Sequence, residues 1–259
     1  MEEKELELEK KYLNKVLKEI NSQRNSKQRE LALIAKEKKE FSLHFSDDFY
    51  YMDDEEALGE GDILAELDDA WDRTQTAIYT LNRQEYSPYF GRIDFIAKKK
   101  RKPTSYYIGV NNLIKSGASI PLVCDWRAPI SSIFYDFELG DAEYAAPQGR
   151  QTGNVVLKRQ YEIKNKKLLK CFDSSVTIGD EILKDVLSRP SSKKMKTIIA
   201  SIQKEQNKII RNNTSKNMLV QGVAGSGKTS IALHRVAYLL YQNRQTLKAE
   251  DGVKIVYEE

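Results

Sequence analysis

Gly222-Val223-Ala224-Gly225-Ser226-Gly227-Lys228-Thr229 decides how the rest of this chain is read. It satisfies every position of the G-x-x-x-x-G-K-[ST] phosphate-binding pattern. Glycines at Gly222, Gly225 and Gly227 let the backbone turn with positive φ and aim successive N–H groups inward. There they and the N-terminus of the following helix hold phosphate oxygens. Lys228 is placed to meet the β- and γ-phosphates, and Thr229 to bind Mg²⁺. A glycine-rich turn without a ligand has no need for the Lys-Thr pair. Upstream, the short apolar run Met218-Leu219-Val220 reads as a strand. Downstream, Ser230 to Tyr241 carries apolar residues at 233, 236, 237 and 240, the spacing of a helix face. Strand, loop and helix is the order such a site requires.

Working back from the loop, Met195 to Arg211 reads as a helix with Ile198, Ile199, Ile202, Ile209 and Ile210. On it, Gln206 stands sixteen residues before Gly222. A glutamine amide can pair with the N6 and N7 edge of adenine, which selects ATP over GTP. The expected nucleotide-binding set is therefore Gln206, Gly222, Val223, Ala224, Gly225, Ser226, Gly227, Lys228, Thr229 and Ser230, with Thr229 also the Mg²⁺ ligand. His44 and His234 have no spacing that suggests a metal or catalytic pair, and both read as structural.

Composition narrows the class of protein. A chain of 259 residues can bury a substantial core. No apolar run approaches the ~18 residues of a membrane span, and Met1-Glu2-Glu3-Lys4-Glu5 lacks the basic start and apolar centre of a signal peptide. Cys124 and Cys171 are too few and too far apart for a zinc knuckle or a disulfide framework, so a reducing, cytoplasmic setting is expected. The net charge of +4 conceals two electrostatic halves. Residues 1–72 hold 21 acids and 11 bases, a net −10, and the remainder carries +14. The basic body suits a polyanion such as DNA or RNA, while the acidic part suits a basic protein surface.

The rest of the chain divides by texture. Residues 2–44 read as one long helix, with Leu6, Leu13, Val16, Leu17, Ile20, Leu31, Ile34 and Phe41 on a thin stripe that lapses into ten polar residues from Asn21 to Glu30. Such a helix needs a partner. A second, from about Asp62 to Glu85, supplies Ile63, Leu64, Leu67, Trp71, Ile78 and Leu81, so residues 1–88 read as an antiparallel coiled-coil arm. Residues 41–72 contain twelve acids and no Lys or Arg. Within them, Asp53-Asp54-Glu55-Glu56 can start the second helix favourably through its dipole or form an acidic tip on the stalk. From Ser87 onward, aromatic and β-branched residues with turn punctuation mark a β-rich module over 89–196. Tyr89–Ile96 and Ser105–Val110 read as strands around the basic turn Lys98–Lys102. Val155–Lys164 and Lys167–Phe172 read as a hairpin about Asn165-Lys166. Residues 176–188 read as a short helix, and 197–259 as the start of an α/β ATP-binding domain.

Tyr89-Phe90-Gly91-Arg92-Ile93-Asp94-Phe95, Asp125-Trp126-Arg127-Ala128-Pro129, Leu157-Lys158-Arg159-Gln160, Ile202-Gln203-Lys204-Glu205-Gln206-Asn207 and Gln221 to Ser230, taken together and in this order, resemble the HelD family of superfamily-1 helicase-like ATPases related to UvrD and Rep. The resemblance implies an α/β P-loop NTPase of RecA-like fold, with Gln206 as the adenine-reading residue of the Q-motif. It implies an arm that enters the secondary channel of bacterial RNA polymerase, and an ATPase body that releases stalled polymerase from nucleic acid. The sequence departs from the family in one respect. No Walker B Asp-Glu pair follows the loop, Val253 to Glu259 being only a superficial imitation, and the arginines of a second RecA-like domain are not recognisable. The chain therefore reads as an N-terminal fragment of such a motor. The alternative is a polymerase-binding protein that never hydrolyses ATP.

Overall fold

The fold is that of a computed structural model, which describes residues 3–48, 54–98, 100–173, 204–214, 217–223 and 225–246, and side chains for these except 44–48 and 54–60. Contacts group the chain into two units, Met1–Pro88 with Glu162–Lys170, and Tyr89–Tyr161 with Cys171–Glu259.

In the first unit, Leu13, Val16, Ile20 and Ile34 are buried along α1 (Glu3–Asp48), and Thr74, Leu81, Gln84 and Glu85 along α2 (Asp54–Tyr86). The helices run antiparallel, since Arg24 pairs with Glu85 and Lys38 with Asp68. The polar lapse of α1 is bridged by polar contacts instead of apolar ones. Arg24 donates to Glu85 at 2.7 Å and to Asn82 at 3.3 Å, and the Thr74 hydroxyl donates to Glu30 at 3.3 Å. Ile63, expected on the inner stripe, is half exposed, and Thr74 takes an inner position that its polarity concealed. Helix α2 starts at Asp54 rather than near Asp62, so Asp54, Glu55 and Glu56 lie in its first turn, where the helix dipole favours acids. Asp53 lies outside the described residues. Helix α1 likewise extends past the expected end, to Asp48.

The chain from Gly91 to Asp173 forms a six-stranded sheet in the order β3-β2-β1-β5-β4, with β6 paired to β5. Its strands are β1 (Gly91–Ala97), β2 (Thr104–Gly109), β3 (Cys124–Asp125), β4 (Gly140–Ala146), β5 (Gly149–Lys164) and β6 (Lys167–Asp173). Both expected hairpins form. Lys98, Lys100, Arg101 and Lys102 are exposed in the first turn. In the second, Asn165 (φ 48°) and Lys166 (φ 66°) both adopt the left-handed conformation that a two-residue type I′ turn requires. Strand β4 escaped the sequence reading, because Gly140-Asp141-Ala142-Glu143 has almost no β-propensity. It is held by its register with β5, from Gly140 opposite Val155 to Ala146 opposite Gly149.

After β3 the chain turns through a 3₁₀ segment (Pro129–Ser131) into α3 (Ser132–Asp136). The described part of the helix expected over 195–211 is α4 (Lys204–Ile210), and the helix after the glycine loop is α5 (Lys228–Gln242). Ile210, Ile231 and Tyr238 of these helices share one core with Ile93, Phe95, Trp126, Phe134 and Val155. The helix expected over 176–188 and the expected domain border at 196/197 lie outside the described residues.

Met218-Leu219-Val220 is not a strand: it pairs with none of the described strands, and Leu219 is 93 % exposed. A parallel strand exists only through hydrogen bonds to its neighbours, and no described strand lies beside this one.

Candidate functional site

Two of the loop glycines adopt backbone conformations closed to most residues. Gly225 has φ 79° and Gly227 φ 83°, the second serving as N-cap of α5. A methyl group on either would be strained in this region. Gly222 is constrained by space: a Cβ there would come within 2.7 Å of the Ser226 hydroxyl. The turn is closed by the Ser226 N–H donating to the Val223 carbonyl at 3.1 Å, and α5 begins with Ile231 N–H donating to Gly227 at 2.9 Å. The Lys228 ammonium folds back onto the loop and donates to the carbonyls of Gly222 (2.9 Å) and Val223 (3.0 Å). Such bonds are readily exchanged for anionic phosphate oxygens, which make stronger charge-assisted partners. Thr229 stands exposed in the first turn of α5.

Gln206 is brought to this loop: its Nε2 lies 3.7 Å from where a Cβ on Gly227 would stand. The structure thus unites Gln206, Gly222, Val223, Gly225, Ser226, Gly227, Lys228, Thr229 and Ser230. Ala224 lies outside the described residues. Left-handed glycines, an exposed threonine hydroxyl and a lysine resting on carbonyls among the described residues together fit a Mg-nucleotide triphosphate.

Behind the loop stands a layer that the sequence reading did not assign. Asp125 accepts from Arg127 at 2.8 Å and 2.6 Å, and the same guanidinium lies 4.8 Å from the Tyr241 ring of α5. Trp126 meets His234 of α5 edge to face at 5.6 Å. The Arg211 guanidinium donates to the backbone carbonyls of Trp126, Arg127 and Ala128, the last two at 3.3 Å each, and to Asn207 at 3.0 Å. Asn207 donates onward to Asp136 at 2.8 Å, and Arg235 to the Ile209 carbonyl at 2.8 Å. Burial holds the Arg211 pKa below the usual arginine range, opposed by Tyr135, Tyr238 and Asp136. Burial also lowers His234, against a hydrogen bond to the Ser230 carbonyl that raises it, and pushes the Cys124 thiol up to about 12. His234 is buried against Trp126, with its ring nitrogen at the Ser230 carbonyl. Asp125–Pro129 and Asn207 belong to segments that carried the family resemblance without a role of their own, and nothing in the sequence singled out Arg211.

Residues 6–187 match the family model described as "DNA helicase IV HelD, N-terminal domain", and residues 202–250 match the one described as "UvrD/REP helicase N-terminal domain". The chain belongs to the HelD family. A search of curated proteins gave no match. The HelD match spans α1, α2 and the sheet, and the UvrD/REP match spans Gln206, the glycine loop and α5. This is a helicase-like family of ATPase type, whose members use ATP and Mg²⁺ and act with nucleic acids and RNA polymerase. Several cations of the HelD-type segments are committed inside the molecule. Arg92 pairs with Asp94 (2.8 and 2.7 Å), Lys158 with Glu138 and the Phe137 carbonyl, and Arg159 with Asp173. Among the described residues no cluster of His, Cys, Asp and Glu could hold a metal, and no helix is long and apolar enough to cross a membrane.

Proposed function

We propose that this HelD-family chain binds Mg-ATP through Gly222–Thr229 and Gln206, as the nucleotide-binding front of a RecA-like domain in a helicase-like motor. That motor would act on complexes of RNA polymerase with DNA or RNA in the cytoplasm. The observation that carries the reading is the loop itself: left-handed glycines at 225 and 227 lead into a helix N-terminus, with Lys228 resting on carbonyls and Gln206 alongside. Backbone N–H groups and the start of α5 would hold the phosphates, Lys228 would neutralise their charge, and Thr229 would take Mg²⁺. Gln206 would read the base. Residues 1–88 form the arm proposed to reach core polymerase, residues 89–196 the family-specific module, and 197–259 the start of the ATP-binding domain.

Titrating the full chain with Mg-ATP tests this. Lys228→Ala removes the only cation hydrogen-bonded to the described loop and should abolish measurable binding while leaving the circular dichroism spectrum unchanged. Undiminished affinity in that variant rules the loop out as the site.

A further inference from the structure

The described turns of α4 are set by tertiary contacts. Arg235 of α5 donates to the Ile209 carbonyl at 2.8 Å on one side, and a second set of contacts holds the helix to the sheet module. Ile210 sits in the core, Asn207 donates to Asp136 at 2.8 Å, and Arg211, one residue past the helix, spreads its fork over three successive carbonyls of the Asp125–Pro129 turn. Arg211 and Asn207 are themselves joined at 3.0 Å, so these contacts form one clamp. Gln206, adjacent to Asn207, faces the glycine loop instead. Any rotation or slide of α4 that loosens the clamp displaces the Gln206 amide, and reading a base edge tolerates little displacement.

We propose that Arg211 is a positioning residue for nucleotide specificity: by anchoring α4 to the Trp126–Ala128 carbonyls of the sheet module, it sets the Gln206 amide for adenine. The inference rests on the nucleotide reading of the loop above. It gives the Asp125–Pro129 turn a role at the base end of the site, separate from the phosphate end, where Lys228 and the glycines make their own hydrogen bonds. A guanidinium suits the task because its planar donors can meet several carbonyls at once, which an ammonium cannot match.

The test compares Mg-ATP, Mg-GTP and inorganic triphosphate binding to the full chain by calorimetry. The parent should prefer ATP over GTP by at least about fivefold, the lower end of what a bidentate base contact contributes. Gln206→Ala should erase that preference without changing triphosphate affinity. Arg211→Met should do the same, and the double variant should be no weaker than either alone. Arg211→Lys, which keeps the charge and loses the fork, should fall between and carries the test where Arg211→Met does not fold. Equal losses for ATP and triphosphate in the Arg211 variants would mean a general structural role and overturn the proposal. So would an ATP-to-GTP ratio that stays at the parent's value, or a parent without preference. Lys228→Ala separates the two readings: if it leaves triphosphate binding intact, the site itself has been misplaced, whatever Arg211 does.

Discussion

The α1–α2 pair and the sheet unit are held together by different means. Between the helices, a narrow stripe about Leu13, Val16, Ile20 and Leu81 is supplemented by ion pairs such as Lys38–Asp68, with Asp68 more than half exposed. Exposed pairs of this kind contribute roughly 0–1 kcal/mol each. Glu85 is the exception: its side chain is 8 % exposed and accepts from both Arg24 and Lys166. Burial works to raise its pKa, and the two cations outweigh it, so the carboxyl is held below its ordinary range. In the sheet unit, by contrast, one core takes in strands, the Asp125–Pro129 turn and both helices flanking the loop. Damage to the helical pair should therefore stay local, and damage beneath the loop should spread.

The sharpest way to break that contrast is Trp126→Ala. It empties a side chain 2 % exposed against His234 and should cost about 3–5 kcal/mol, by the usual cost of a large aromatic cavity. Hydrogen exchange should then accelerate together in β1, β2, β5 and α5 while α1 keeps its protection. Equal acceleration in α1 would show that the two units do not differ in this way. Next is Ile20→Ala in the arm, expected to cost about 2–4 kcal/mol, with faster exchange confined to α1 and α2. A smaller effect comes from pH. His234 is neutral in the folded state, donating from Nδ1 to Ser230 with Nε2 unpartnered among the described residues. Its folded pKa lies below the unfolded 6.5, so the unfolded chain takes up the proton first. Stability of the sheet unit should be full above pH 6.5 and fall as pH drops through it, flattening below the folded pKa. His234→Gln should remove that slope in urea titrations from pH 5 to 8. The smallest effect on folding is expected from replacing Asp47, Asp48, Asp53, Asp54, Glu55 and Glu56 together by Asn or Gln. Helicity should barely change. If the arm reaches polymerase by charge, affinity for core polymerase and its salt dependence should both drop, and unchanged affinity at low and high salt would retire the electrostatic reading.

Much of this was legible in residue order. Three- and four-residue spacing gave both long helices, with errors at their ends, where acids near Asp54 favour a helix start that hydrophobic periodicity does not register, and on the inner face at Ile63 and Thr74. Asn165-Lys166 between alternating runs gave the β5–β6 hairpin. The loop was legible because its pattern demands residue types, glycine above all, that backbone geometry alone explains. Strand β4 and the clamp under α4 were not, since their residues are ordinary in type and meaningful only through partners such as Val155 or the Trp126 carbonyl.

By itself the sequence determined the glycine-rich loop, the two long helices, the hairpins and the family, because each rests on local spacing, turn chemistry or motif order. Only the tertiary structure decided that Met218–Val220 is not a strand, that Gln206 meets Gly227, and that Arg211 joins α4 to a turn more than eighty residues earlier in the chain. Those outcomes depend on which groups at long sequence separation satisfy one another's hydrogen bonds and fill one core, and no local pattern encodes that choice.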